Sequence, residues 1–217
     1  MKIDTRTFRR KLLDESLGLH AHLMRGDVID VGGKKEKKAG SFRPPVKNIS
    51  SWRYVNIDET TLPDYLCSAE NIPVEDASFD VAIICEVQEH LENPSAVLKE
   101  IFRILKDRGM LFYSAPFLYP FHGDPYDFQR WTEIKTINEL EYLGYKNIII
   151  TPMGGIGAVI HDLIRVAISK ISNRYIYLMS FALLFLTKPV FQLIDWATPG
   201  LKKWITSGYF VTAQKKS

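Results

Sequence analysis

A strand–helix–strand pattern constrains the fold of this 217-residue chain more than any other feature. Val81–Cys85 is a continuous apolar run, short enough for a strand that is buried on both faces. A helix is predicted over Pro94–Lys106, capped by Asn93, and Met110–Ala115 forms a second apolar run. Two strands joined by a long helical crossover form a right-handed unit of a parallel sheet. The sequence therefore predicts an α/β protein.

Composition narrows the class further. A chain of 217 residues is expected to form one domain, 1–217, with a sizeable core. The net charge of +3 is too small to indicate nucleic-acid binding. Cys67 and Cys85 lack the spacing of metal ligands, so we expect reduced thiols in a cytoplasmic protein and no metal site. No signal peptide is expected, and no stretch reaches the roughly 18 apolar residues of a membrane span.

The run AENIPVEDASFDVAIICEVQEHLENPSAVLKEIFRILK, residues 69–106, resembles the central segment of class I methyltransferases that use S-adenosylmethionine. In that family an A-E-x-[IL]-P-[FV]-x-D-x-S-F-D turn leads into E-x-x-E-H and a helix ending in R-[IV]-L-K. The resemblance covers most of the chain up to about Thr151. It implies a Rossmann-like, doubly wound sheet of seven mostly parallel strands with an antiparallel last strand. It also implies S-adenosylmethionine as the cofactor.

The first predicted strand, Val28–Val31, runs directly into two glycines. Ligands of open α/β sheets bind beyond the carboxyl ends of the strands. The family reads D-x-G-x-G here, so the resemblance implies that Asp30, Gly32 and Gly33 contact the methionine part of the cofactor. Lys34 replaces the second family glycine and opens a KKEKK run, which is either a solvated loop or a contact for an anionic acceptor group. The departure leaves a modified cofactor loop or a catalytically inactive relative as alternatives.

Other cofactor contacts are expected at the ends of the next strands. Asp58 follows the predicted strand Arg53–Ile57 and is expected to accept hydrogen bonds from the ribose hydroxyls, with a turn cap as the alternative. The resemblance places Ser68 and Ala69 at the adenine, where the family usually has Asp in place of Ser68. Glu86 ends the fourth strand and is expected beside the cofactor.

The loop PFLYPFHGDPYDFQRWT, residues 116–132, follows the fifth strand and is expected to overhang the cleft. It resembles the H-x-x-P-x-D-[FY]-x-R-[FYW]-T loop of methyltransferases that are encoded with polysaccharide-assembly enzymes. Methyl transfer to a hydroxyl needs a base, and His122 is the first candidate because imidazole titrates near neutral pH. Asp127 either orients that imidazole or is the base itself. Arg130 binds a phosphate or carboxylate of the acceptor, or forms a salt bridge with Asp127.

Two neighbours of these residues complete the predicted acceptor side. Asp124 belongs to the same crowded loop as His122. His90 lies four residues after Glu86, so one helical turn would point both side chains into the cleft. The alternative for His90 is a structural histidine that holds the loop.

Residues 154–207 are interpreted as a helical insertion between a sixth strand at Lys146–Thr151 and a last strand at Gly208–Ala213. Within the insertion, residues 175–196 are strongly apolar, and Pro189 is expected to cut this run into two short pieces. Its aromatic and lysine flanks suit a peripheral contact with a membrane better than a span. Packing onto the body or onto a homodimer partner is the alternative.

The sequence thus predicts an S-adenosylmethionine-dependent enzyme. The expected reaction is O-methylation of a sugar or lipid-linked saccharide at the inner face of the membrane. Two alternatives remain: an inactive methyltransferase-like binding module, and an enzyme that acts on a small-molecule or quinone-type acceptor. Nucleic acid is not expected as a partner.

Overall fold

A computed structural model of the protein describes residues 6–36, 40–45, 47–123 and 125–216. Its strands are β1 (Gly26–Val31), β2 (Ile49–Asn56), β3 (Tyr65–Leu66), β4 (Phe79–Cys85), β5 (Leu105–Pro116), β6 (Tyr145–Met153) and β7 (Gly208–Lys215). Its α-helices are α1 (Phe8–His20), α2 (Pro94–Ile104), α3 (Glu133–Leu143), α4 (Ile156–Ser169) and α5 (Arg174–Ala197).

The described strands form one sheet in the order β3-β2-β1-β4-β5-β7-β6. The pairs from β3 through β5 are all parallel, and α2 is the helical crossover between β4 and β5. β7 enters between β5 and β6 and is antiparallel to both. The predicted fold class, a Rossmann-like and mostly parallel seven-stranded sheet with an antiparallel last strand, is confirmed.

Alternate residues of the central strands supply two separate cores, one on each face of the sheet. Ile29 and Leu111 pack with residues of α2 and α3 on one face. Val28 and Phe112, their neighbours in sequence, pack with Leu13 and other residues of α1 on the opposite face. Successive side chains of a strand point to opposite faces, and this period of two produces the doubly wound architecture.

Helix α2 begins as predicted, because the Asn93 side chain accepts a hydrogen bond from the N–H of Ala96 at 3.2 Å. Its end differs from the prediction by two residues. Leu105 already belongs to β5, where it pairs with Phe79 and is fully buried in the core. At the end of α2, the burial of Leu105 in the sheet therefore outweighs the helical propensity of the sequence.

Helix α5 corrects the prediction for the apolar segment. The helix runs through Pro189 without a break, and among the described helices it is the one that is long and apolar enough to cross a bilayer. Proline removes one backbone N–H donor, but the ladder continues on both sides of it. Thr187 Oγ1 donates to the carbonyl oxygen of Leu183 at 2.9 Å, one turn before the proline. Contacts with the body support the continuous helix: Lys188 Nζ lies 5.2 Å from the centre of the Phe8 ring.

Residues 154–207 lie between β6 and β7, and their helices α4 and α5 form a hairpin on the body. The Asp195 carboxylate, near the end of α5, accepts backbone N–H groups of Gly155, Gly157 and Ala158 at the start of α4. In turn, the Asp162 carboxylate of α4 accepts the N–H groups of Phe8 and Arg9. These carboxylates therefore fix α5 to α4 and α4 to α1.

One side of α5 packs against the body, and Leu184 on that side is 6% exposed. The opposite side, which we call the apolar face of α5, has no cover among the described residues. Its members are each more than half exposed: Ile176, Met179, Leu183, Leu186, Val190, Leu193 and Trp196. An apolar patch of this kind marks an interaction surface.

Candidate functional site

The carboxyl ends of β1, β2, β4 and β5 meet at one edge of the sheet, because these strands are parallel. Most of the predicted site residues follow these strand ends or lie in the loop after β5. The full set in the described part is Asp30, Gly32, Gly33, Asp58, Ser68, Ala69, Glu86, His90, His122, Asp127 and Arg130. Asp124, and Lys37 and Lys38 of the KKEKK run, lie outside the described residues.

The backbone of the glycine loop after β1 passes close to two neighbouring side chains. Gly32 has a φ of +77°, and a Cβ atom there would lie 2.3 Å from Val87 Cγ2. A Cβ atom on Gly33 would lie 2.3 Å from the carboxyl carbon of Asp30. The chain therefore passes directly over the Asp30 carboxylate, and only glycine fits at both positions.

Asn56, which the sequence analysis missed, holds this loop in place. Its Nδ2 atom donates to the carbonyl oxygens of Gly32 at 3.2 Å and Gly33 at 3.1 Å. Its Oδ1 atom accepts the backbone N–H of Asp58 at 3.0 Å. In the sequence, the indication of this role was a polar residue at the last position of β2. Asn56 thus joins the glycine loop to the predicted ribose ligand.

Asp58 itself caps a short 3₁₀ turn. Its Oδ1 atom accepts both the N–H and the hydroxyl of Thr60, at 2.9 and 2.7 Å, and these bonds lower the pKa of the Asp58 carboxyl. Both hydrogen bonds are accepted by Oδ1, so Oδ2 of Asp58 takes no part in the cap. At the end of β3, the Ser68 hydroxyl accepts the N–H of Glu70 at 3.3 Å. Ala69 packs against the core. The expected ribose and adenine contacts thus remain predictions.

Glu86 lies in a left-handed conformation, with a φ of +57°, and forms an ion pair with Arg9 of α1. Two bonds of 2.5 Å join the guanidinium of Arg9 to the two carboxylate oxygens. Ser114 Oγ also donates to this carboxylate at 2.8 Å, and Arg9 Nη1 donates to the carbonyl oxygen of Ser207 at 2.9 Å. Burial alone would raise the pKa of Glu86, but the charge and hydrogen bonds of Arg9 hold it below its ordinary value. Arg9 was not foreseen as a neighbour of the site.

A buried glutamate and two histidines meet beside this ion pair. Glu89 is 0% exposed, and its Oε1 atom lies 3.7 Å from His90 Nε2 and 3.8 Å from His122 Nε2. The two imidazole rings are 5.2 Å apart and nearly perpendicular. Burial, and then the charge of Glu86, raises the pKa of Glu89 to about 8. Glu89 was overlooked in the sequence, although it is the second glutamate of E-x-x-E-H.

The local turn differs from the one expected. It is a 3₁₀ turn over Gln88–His90, so Glu86 stands before it in a left-handed conformation. Glu86 and His90 therefore do not lie on one face of an α-helical turn. Instead, Glu86 points to Arg9, and Glu89 and His90 lie together with His122.

Backbone carbonyl groups define the tautomers of both histidines. His90 Nδ1 lies 2.5 Å from the carbonyl oxygen of Tyr126, and His122 Nδ1 lies 3.2 Å from that of Pro120. A carbonyl oxygen only accepts, so each Nδ1 carries the proton. Each neutral ring then presents an unprotonated Nε2 atom to Glu89. The two nitrogens are free to accept a proton or to bind a metal ion.

The alternative of a salt bridge between Asp127 and Arg130 is present in the structure. Arg130 binds both carboxylate oxygens of Asp127, and its Nη2 contact is 2.7 Å long. The backbone N–H of His122 also donates to Asp127 at 2.8 Å. Hydrogen bonds from Arg130, against the effect of burial, lower the pKa of Asp127 to about 2. This makes Asp127 a poor base near neutral pH and favours His122 for that role.

Residues 48–113, from the start of β2 into β5, match the family described as "Methyltransferase domain". The match covers 66 of the 217 residues. Together with the sheet order, it supports a methyltransferase that uses S-adenosylmethionine as its cofactor, in agreement with the sequence-based expectation. No curated protein sequence matches the chain.

Solved structures of this methyltransferase fold resemble the whole chain at low sequence identity. The [4+2]-cyclase SpnF is 15% identical, with a TM-score of 0.61 over 94% of this chain and 81% of that chain. A SAM-dependent methyltransferase from Archaeoglobus fulgidus is 16% identical, with a TM-score of 0.57 over 95% and 94%. The 1,6-didemethyltoxoflavin-N1-methyltransferase of Burkholderia thailandensis, solved with its substrate and S-adenosylhomocysteine, is 14% identical, with a TM-score of 0.55 over 98% and 80%. These likenesses show the fold, and their different names leave the acceptor open.

Proposed function

We propose that this methyltransferase transfers the methyl group of S-adenosylmethionine to a hydroxyl of a saccharide at an anionic membrane surface. The observation that carries the proposal is the pair of Nε2 atoms on His90 and His122, which remain available because each Nδ1 atom faces a backbone carbonyl oxygen. Such nitrogens accept the proton that an alcohol must lose during methylation.

The reaction balances with groups at this edge. A lone pair of the acceptor oxygen forms the new C–O bond while the S–CH₃ bond breaks, and its electrons return to sulfur as a neutral thioether. The hydroxyl proton moves to His122 Nε2. Alignment of oxygen, carbon and sulfur supplies most of the acceleration, up to about 7–11 kcal/mol in favourable cases. His122 is preferred over Asp127 because its side chain is 41% exposed, whereas that of Asp127 is 2% exposed and is bound to Arg130.

The loop after β5 supports a saccharide acceptor. It presents three aromatic rings that are about half exposed or more, those of Phe121, Tyr126 and Phe128. Flat aromatic faces bind the apolar faces of sugar rings, and nearby polar groups orient their hydroxyls. The resemblance of this loop to those of methyltransferases encoded with polysaccharide-assembly enzymes points to the same acceptor class.

The charges of residues 154–207 support docking on anionic lipid. The segment has six basic residues, which are Arg165, Lys170, Arg174, Lys188, Lys202 and Lys203, and two acidic residues, Asp162 and Asp195. Both acids accept backbone N–H groups within the fold, so the net charge offered outward is positive. A basic residue near an anionic surface contributes about 1 kcal/mol.

The apolar face of α5 supplies the second part of the docking energy. Burial of a residue such as Leu183 or Leu186 in the acyl boundary contributes about 1.5–3 kcal/mol before ordering costs. Trp196 and Trp204 are both largely exposed near the end of the helix, as is typical of membrane interfaces. Because β6 and β7 pair in the same sheet, both ends of the hairpin return to one body. This supports a helix that lies in the interface rather than one that crosses it.

Methyl transfer is tested with labelled S-adenosylmethionine and two acceptor panels: nucleotide- and lipid-linked saccharides, and quinols. We expect labelled saccharide ethers and cofactor binding by calorimetry. Transfer to quinols alone would establish the small-molecule alternative. Cofactor binding without transfer to any acceptor would favour the inactive binding module.

Docking is tested by flotation with neutral and anionic phospholipid vesicles. The full-length protein is expected to float with anionic vesicles, and the double variant Leu183→Asp, Leu186→Asp is expected to stay in solution. A matched control places two aspartates on α3, at the exposed positions Ile134 and Tyr142, and should float like the wild type. Leu184 is avoided because it is buried. A protein that never floats but forms a dimer that the double variant dissociates would show a protein interface instead.

A further inference from the structure

We propose that Glu89, His90 and His122 bind one divalent transition-metal ion. Each residue offers one ligand atom, and these atoms all lie within 4.8 Å of one another. The binding site stands on this geometry alone. Only the role of the ion in the reaction rests on the proposed function.

The separations within the cluster fit a shared ion. Glu89 Oε1 is 3.7 Å from His90 Nε2 and 3.8 Å from His122 Nε2, too far for direct hydrogen bonds. Ligands of zinc-like ions bind at about 2.0–2.2 Å, so two ligands of the same ion lie about 3–4 Å apart. The gap between the carboxylate and each imidazole therefore has the width that one ion requires.

The surroundings of the two histidines are those of metal ligands. A ligating histidine usually donates its other ring N–H to a backbone carbonyl or a carboxylate, which fixes the ring and its tautomer. His90 does this with Tyr126, and His122 with Pro120. Both remaining lone pairs consequently face Glu89 before any ion arrives, so little reorganisation is needed.

The burial of Glu89 is the independent observation that calls for a cation. Neither of its oxygens has a hydrogen-bond partner among the described residues. Buried carboxylates are normally paired or coordinate metals, because leaving them unpaired costs several kcal/mol. The nearby guanidinium groups of Arg9 and Arg130 are bound to Glu86 and Asp127. An ion between Glu89 and the histidines would give this carboxyl group the partner that it lacks.

The donor set selects the kind of ion. Two imidazoles and one carboxylate suit Zn²⁺, Mn²⁺ or Fe²⁺ better than Ca²⁺ or Mg²⁺, which prefer oxygen ligands. Three protein ligands leave further positions open, as in catalytic metal sites. An acceptor hydroxyl bound there would lose its proton to water more readily, because the ion lowers its pKa. With the ion bound, His122 is a ligand and no longer the base.

This inference revises the expectation that the chain has no metal site. The two cysteines are not members of the cluster, but E-x-x-E-H supplies two ligands at consecutive positions. The third ligand, His122, is far away in sequence and is brought in by the loop after β5. The spacing of the cysteines therefore could not indicate this set of three metal ligands.

The test is calorimetric titration of Zn²⁺ and Mn²⁺ into the chelator-treated, full-length protein. We expect one ion per chain and at least a ten-fold loss of affinity in Glu89→Gln, His90→Asn and His122→Asn. His22→Asn, an exposed histidine after α1, is the matched control and should bind as the wild type does. Thermal unfolding of every variant checks that it is folded. No binding by the wild type, or equal binding by all variants, would overturn the site.

Measurements of methyl transfer distinguish a failure of the metal site from a failure of the proposed function. Loss of methyl transfer after chelation, with S-adenosylmethionine affinity retained and transfer restored by Zn²⁺ or Mn²⁺, would support the assigned role. Full transfer by metal-free protein would refute the role of the ion and leave the methyltransferase proposal intact. A metal-loaded protein without transfer to any acceptor would instead refute the proposed function.

Discussion

Replacement of Arg9 by Met should destabilise the protein by about 3–5 kcal/mol, although Arg9 lies on the first helix and outside the predicted site. Arg9 is 2% exposed and makes two bonds to Glu86 and one to the carbonyl oxygen of Ser207. Its removal leaves a buried carboxylate without its counter-charge, which is more costly than the loss of the pair as a whole. The double variant Arg9→Met, Glu86→Gln should therefore lose less than the sum of the single variants, by about 2–3 kcal/mol.

Urea unfolding measures this cycle. With an m-value of about 2 kcal/mol per M, the midpoint of Arg9→Met should fall by about 1.5–2.5 M. Lys11→Met on the same helix is the control, because its contact with Glu15 is a loose surface pair of 3.8 Å and should contribute less than about 0.5 kcal/mol. A loss below about 1 kcal/mol for Arg9→Met, or additive single effects, would refute the reasoning.

The same variants test whether Glu86 also contacts the cofactor. If its function is the ion pair, the folded double variant should bind S-adenosylmethionine with wild-type affinity. If Glu86 contacts the cofactor directly, Glu86→Gln should weaken binding while folded Arg9→Met does not. Calorimetry on each folded variant distinguishes the two roles.

The remaining predictions concern the cofactor, catalysis and acid stability. Asp58→Ala should weaken S-adenosylmethionine binding about 10- to 100-fold, and Asn56→Ala should weaken it through the loosened glycine loop; unchanged calorimetric affinity in either variant would remove that residue from the site. His122→Asn should lower the turnover rate about 10²–10⁴-fold with cofactor affinity retained, whereas parallel losses of both would indicate a structural residue. The hydrogen bond from Arg103 lowers the pKa of Glu100 in the folded protein. The stabilisation by Glu100 is therefore present above an unfolded pKa of about 4.3 and is lost as the pH falls through the lower folded value. Urea unfolding at pH 3–6 should show this loss in the wild type and less of it in Glu100→Gln.

Local sequence rules predicted the elements that local forces determine. Asn93 caps α2 as expected, and Thr132 caps α3 in the same way. The antiparallel orientation of β7 was implied by the family resemblance and is correct. These features depend on neighbouring residues or on a fold shared by many proteins.

Contacts between distant residues could not be predicted in this way. Arg9 and Glu86 are 77 positions apart, and no periodic pattern joins them. Pro189 was expected to end a helix, because the local rule ignores the body on which α5 lies. His161 and Phe191 stack edge to face at 5.4 Å across the hairpin, and such tertiary contacts override the local preference. Glu89 was missed for the same reason, since its neighbour His122 arrives from another loop.

The late position of β7 in the chain has a consequence for folding kinetics. Met110 pairs with Gln214, and Tyr145 pairs with Lys215, so the sheet cannot close until the segment after α5 arrives. Pairing over such separations is slow, whereas a hairpin of adjacent helices forms early. During this interval β5 and β6 have open edges, and the apolar face of α5 is already formed. Aggregation and lipid adsorption then compete for the same intermediate, so anionic vesicles added at the start of refolding should raise the yield of native protein more than vesicles added at the end.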